Sequence, residues 1–131
     1  MSNDELKSEL GLAMLRSARE IYSKLPSIEE KIDGFGHSVV KVGGKTFIMI
    51  GEGEEGNSPG MSIKADKETQ QMLIARGDYS RTPYIGQHGW VSIHADRIQD
   101  WNELGELIVE AYLRQAPKKL RQSYLDSVKD R

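Results

Sequence analysis

Groups that could act on a ligand gather most densely between Tyr79 and Ala95, in the run YSRTPYIGQHGWVSIHA. Two short β-like runs are joined there by Ile85-Gly86-Gln87-His88-Gly89, and they bring together Arg81, His88, Trp90 and His94. Side chains of a strand alternate between its two faces. Trp90, Ser92 and His94 therefore share one face, and Val91, Ile93 and Ala95 the other. Ser92 and His94 stand as a nucleophile and a base would, but a third, orienting group and a GxSxG elbow are both missing. His37, His88 and His94 are the only imidazoles. None has a partner at HxxxH spacing or a carboxylate at a motif distance, so structural or solvated histidines fit better than metal ligands. Cysteine is absent, which removes thiolate chemistry and disulfides. The expectation is a protein with no catalytic motif, no metal set and no cofactor.

Binding is the better use of this stretch. A strand over Met61–Ala65 places Ser62 and Lys64 opposite Met61 and Ile63. If helices cover the other side of the sheet, Ser62, Lys64, Trp90, Ser92 and His94 form an open face, with Lys41 or Val39 beside them. A tryptophan next to lysine and histidine can stack on a base or anchor a protein partner. The competing reading is a core tryptophan, since most tryptophans are largely buried.

Composition narrows the classes. The chain has 131 residues, the length of one domain spanning 1–131, and its 37% hydrophobic and 29% charged residues describe a folded globular protein. No apolar run approaches the roughly 18–20 residues that span a bilayer, so no membrane partner is expected. The polar, acidic start MSNDELKSEL does not resemble a signal peptide, and a cytoplasmic location is expected. A net charge of -2 counts against DNA as a default partner, because phosphate neutralisation supplies much of such affinity. Charge is unevenly spread, however. Lys118, Lys119, Arg121, Lys129 and Arg131 crowd the C-terminal tail, while Glu52, Glu54 and Glu55 lie in GEGEEGNSPG with no base. That acidic loop lacks calcium-loop spacing and reads as solvated.

Periodicity places the elements. Leu6, Leu10, Met14, Ala18, Ile21 and Leu25 make one stripe, predicting a helix over Asn3–Leu25 opened by Ser2 and Glu5 and stopped by Pro26. Pro26–Gly36 reads as a connector with a helical turn at Ser27–Glu30, and Gly34-Phe35-Gly36 is too short for a dinucleotide fingerprint. Val39–Val42 and Lys45–Ile50 form a hairpin at Gly43-Gly44, the second strand apolar on both faces. Asp66 caps a short helix over Lys67–Arg76, closed by Gly77. Tyr79–Tyr84 and Trp90–Ala95 form a second hairpin, in which Pro83 restricts its strand to an edge or bend. Asp100 and Glu103 open a helix over Trp101–Gln115, and Leu120, Tyr124 and Val128 predict a last short helix. The fold class is α+β: an antiparallel sheet of about five strands, two hairpins plus one strand, under an N-terminal, a middle and a C-terminal helix.

In this order the chain resembles the MmcQ/YjbR family of small bacterial proteins. The resemblance is carried by Val42-Gly43-Gly44-Lys45-Thr46-Phe47, Ser62-Ile63-Lys64-Ala65, Pro83-Tyr84, Gly89-Trp90-Val91, Asp100-Trp101-Asn102-Glu103-Leu104, and Ala111-Tyr112 ahead of Pro117-Lys118-Lys119. It implies an α+β fold of "double wing" type and a DNA-binding label, with no catalytic residues to transfer. Under that label Lys45, Lys64, Arg81, Lys118 and Lys119 would contact phosphates, and Trp90 or Tyr84 would stack or wedge. The alternative is a protein-interaction domain or homodimer using the open face around Trp90, with a small-molecule enzyme the weakest reading.

Overall fold

The sheet is built around one tight hairpin, which turns at Gly43-Gly44. A computed structural model describes residues 8–34, 36–52 and 59–129. Helix α1 covers Glu9–Tyr22, with the Ser8 hydroxyl accepting the Gly11 N–H at 2.9 Å as its N-cap. The expected opening by Ser2 and Glu5 lies outside the described residues. Leu10, assigned to the apolar stripe, is instead 47% exposed, and Leu15 and Tyr22 join Met14 and Ala18 in the core.

Strand β1, Ile28–Ile32, replaces the expected connector and helical turn. Its IEEKI alternates, with Glu29 and Lys31 exposed and Ile28, Glu30 and Ile32 half-buried. Glu30 tolerates the inner side because Arg19 pairs with its carboxylate and Tyr22 donates its hydroxyl to it. Burial of Tyr22, followed by the same carboxylate, pushes the phenol pKa up.

β2, Ser38–Val42, turns at Gly43-Gly44 into β3, Lys45–Gly51. Both glycines take positive φ, +58° and +80°, as a two-residue hairpin loop needs. The β2–β3 register shifts: Val40 opposes Ile48 but Lys41 opposes Thr46, which leaves Phe47 as an extra residue. This bulge is why β3 reads as apolar on both faces. Phe47 turns inward beside Ile48 and meets Tyr112 edge to face, centroids 5.7 Å apart.

β4 (Gly60–Ile63), α2 (Lys67–Arg76), β5 (Ser80–Arg81), β6 (Val91–His94), α3 (Trp101–Gln115) and α4 (Lys118–Lys129) complete the order. The antiparallel sheet runs β1-β2-β3-β4-β6-β5, six strands where about five were expected. Val40, Ile48, Ile63 and Val91 line up across it, as do Ile50, Met61 and Ile93. These rows share one buried cluster with the inner residues of α1, α2 and α3, and Leu120 and Tyr124 of α4 pack against it. All four helices thus lie on one side of the sheet. The other side carries Met49, Ser62 and Ser92 in register and no described helix.

Candidate nucleic-acid interface

β2 and β3 meet at the Gly43-Gly44 turn, at the same end of the sheet where β4 ends at Ile63, β5 ends at Arg81 and β6 starts at Val91. The connection that leaves Glu52 starts from the opposite end. Five cations singled out in the sequence gather near the first end. Lys45 opens β3 and Lys64 follows β4, while Arg81 closes β5. Lys118 and Lys119 join them because Pro117 seats against Gly43, where a Cβ would overlap the proline ring. Gln115 fixes that seat by donating to the Thr46 carbonyl at 2.9 Å.

The cations share an end but not a face. Lys45 pairs with Val42 and Arg81 with Val91, both core residues, and directly paired side chains lie on one side. Lys64 lies two residues beyond Ser62, and Trp90 two before Ser92; Ser62 pairs with Ser92 on the open side. Lys64 and Trp90 therefore share the open face, just past the ends of their strands.

Residues 82–89 lead from β5 towards β6 at this end and are pinned from several directions. Gln70, only 5% exposed, donates from Nε2 to the Gly86 carbonyl at 2.7 Å and to the Trp90 carbonyl at 2.8 Å. The Lys64 ammonium donates to the His88 carbonyl. Burial, followed by the charge of Arg114, holds the Lys64 pKa below the usual lysine value, against a smaller pull from Asp66. Gly89, φ +95°, lies so close to the Ala65 carbonyl that a Cβ would overlap it. Ile85–His88 forms a 3₁₀ turn, and Gly86 donates to Thr82 at 2.9 Å.

Tyr84 sits at the apex. Its φ of 65° and ψ of -64°, with Ile85 donating to the Pro83 carbonyl at 2.7 Å, define the positive-φ γ-turn, a rare and strained conformation outside glycine. That turn, together with Pro83, cuts the expected strand Tyr79–Tyr84 to Ser80–Arg81. The Tyr84 side chain is 94% exposed, whereas Trp90 is 6% exposed and sits outside the main core cluster. Of the two aromatics read as stacking groups, Tyr84 is the one offered to solvent.

The open face also bears a cleft of about 380 Å³ over Met49, Ser62 and Ser92, with Thr82 and Pro83 on one side and His37 on another. Thr82, Ser92 and Ser62 form a hydroxyl chain, both links 2.8 Å. Ser92 is thereby engaged by two hydroxyls although His94 shares its face. His37 is held through Asp33, whose carboxylate accepts its backbone N–H at 2.9 Å. Among the described residues, no three His, Cys, Asp or Glu side chains converge as a metal site, and no helix is long and apolar enough to cross a membrane. Gln70 and Thr82 escape a sequence reading, because a polar side chain gives no sign of burial when its partners are distant carbonyls and hydroxyls.

The family model described as YjbR matches residues 23–114, from the end of α1 into the last turns of α3. The chain belongs to the YjbR family. The matched part contains the whole sheet and the Tyr84 turn, and it leaves α4 outside. Among solved structures, that of Deinococcus radiodurans protein DR2400, with family-model domain DUF419, is similar in fold. The two align with a TM-score of 0.67 and 19% identity, over 93% of this chain and 91% of that one. No curated protein matches the chain.

Proposed function

We propose that this YjbR-family protein is a cytoplasmic DNA-binding module that grips phosphates with the Tyr84-bearing end of its sheet. The observation that carries the reading is the gathering of Lys45, Lys64, Arg81, Lys118 and Lys119 around one end, opposite the departure of the acidic connection. A chain of net charge -2 can bind a polyanion only through such local segregation. The DNA-binding label implied by the family resemblance points the same way.

Anisotropy of a labelled oligonucleotide, titrated between about 50 and 200 mM salt, tests it. Each phosphate contact adds about 0.7–0.9 to the slope of log K against log salt, so about three to five contacts give a slope near -2 to -4.5. The double variant Lys118→Glu, Lys119→Glu should flatten that slope by about 1.5–2. Absence of binding at the lowest salt, or a slope indifferent to these lysines and to Lys45, overturns the proposal.

A further inference from the structure

We infer that the DNA accepted at this end is single-stranded and that Tyr84 is the platform on which one of its bases stacks; the inference rests on the DNA-binding reading above. The first observation is the Tyr84 turn. Glycine would adopt φ 65° freely, and a small polar residue would avoid presenting an apolar ring to water. A tyrosine here accepts both strain and exposure, a combination that clusters at ligand clamps. The second is rigidity. The bonds from Gln70 and Lys64 and the close seat of Gly89 hold the loop after Tyr84, and Gly86 ties it back to Thr82 before it, so the ring's base is ordered before any ligand arrives.

Charge supplies the third. From Tyr79 to Ala95 there is no aspartate or glutamate, in a chain that has 20. Arg81 packs along Gly86 on the helix-bearing side, and Lys64 approaches His88 from the open side. Both cations touch the loop that carries the Tyr84 turn. Their division over both faces of a sheet end decides the form of DNA. A duplex is stiff over about 150 base pairs and would meet one face only, whereas a single strand can bend around the end and reach both. An unpaired base presents its π-face to a lone ring without the cost of unstacking a duplex step, and such stacking tolerates any sequence.

The test compares a labelled oligothymidylate of about 15 nucleotides, matching the site sizes of single-strand binders, with a hairpin duplex of equal length at low salt. The single strand should bind more tightly. Tyr84→Ala should weaken it about 5- to 100-fold, leaving the duplex unchanged, and Tyr84→Phe should stay within about twofold of the parent. If Tyr84→Ala fails to fold, Tyr84→Gly gives the same comparison in a backbone free of strain. A duplex bound more tightly than the single strand overturns the inference, as does single-strand affinity indifferent to Tyr84, and the DNA-binding reading survives both. Binding of neither form removes that reading, and the inference falls with it.

Discussion

Tyr84 and Trp90 show how two aromatics six residues apart come to opposite fates. Trp90 is two residues before Ser92 on the open face, yet its carbonyl is fixed by buried Gln70 and its ring is covered. Tyr84 stands at the apex of a three-residue turn and is covered by nothing. Sequence alternation identified the face of Trp90 but could not decide its burial, because the covering groups come from distant segments. Nothing local marks Tyr84 as strained either; Pro83 signals a bend, not the sign of the next φ. The strain makes a prediction. Tyr84→Gly removes a conformational cost of about 1–3 kcal/mol and adds about 0.5–1 kcal/mol of unfolded-state entropy. Folding should therefore be unchanged or strengthened by up to about 2 kcal/mol, raising Tm by a few degrees for a chain of this size. A thermal melt decides it, and a Tm several degrees lower would mean that the ring packs on the fold.

Helix α2 shows what was legible at the level of elements, since Lys67–Arg76 with Asp66 before and Gly77 after is the expected span with the expected caps. α3 also has the expected span, and its Asp100 accepts from Asn102 and Glu103 at 2.9 and 3.1 Å, while the Glu103 carboxylate, expected to complete a capping box, pairs with Arg76. Capping chemistry is local, and the spans could be read for that reason. β1 was missed because Glu29, Glu30 and Lys31 disguise an alternation that becomes apparent only once Arg19 and Tyr22 are known to receive Glu30. The cap on α2 should titrate. Asp66 Oδ1 accepts the Thr69 N–H at 2.7 Å, and Arg114 reaches the other oxygen at 3.2 Å. Chiefly through the Thr69 N–H, these contacts hold its carboxyl below the reference value of 3.8. A folded-state pKa below the unfolded one contributes stability above the unfolded value and loses it as pH falls through the folded one. Asp66→Asn caps comparably but does not titrate. In urea melts the aspartate protein should lose more stability than the asparagine variant as pH drops below 3.8, and parallel losses would show that the carboxylate contributes nothing.

The described part of the molecule is lopsided: four helices crowd one side of the sheet and none of them covers the other, and the attachment of those helices is unequal. α1 and α3 each bury several side chains in the cluster, whereas α4 buries none and leans on it through Leu120 and Tyr124. Tyr124 meets the Tyr112 ring edge on at 5.9 Å. An aromatic pair of this kind adds only about 0.5–1.5 kcal/mol beyond the area it buries. Local unfolding free energy follows buried apolar contact, so α4 should open well before the sheet does. This matters because its first turn carries Lys118 and Lys119, placed by the seat of Pro117 on Gly43. Opening α4 would release those two cations while Lys64 and Arg81 stay fixed. Amide exchange should therefore run faster throughout Lys118–Lys129 than in Trp101–Gln115, and Tyr124→Ala should accelerate it in α4 alone. With Lys118 and Lys119 on phosphates, saturating single-stranded DNA should slow exchange in the first turn of α4 by holding its lysines, most clearly in the Tyr124→Ala variant. Protection of α4 equal to that of α3 without DNA would mean that the helix docks more firmly than Leu120 and Tyr124 account for. Unchanged exchange with DNA bound would take Lys118 and Lys119 out of the interface and leave the grip to Lys45, Lys64 and Arg81.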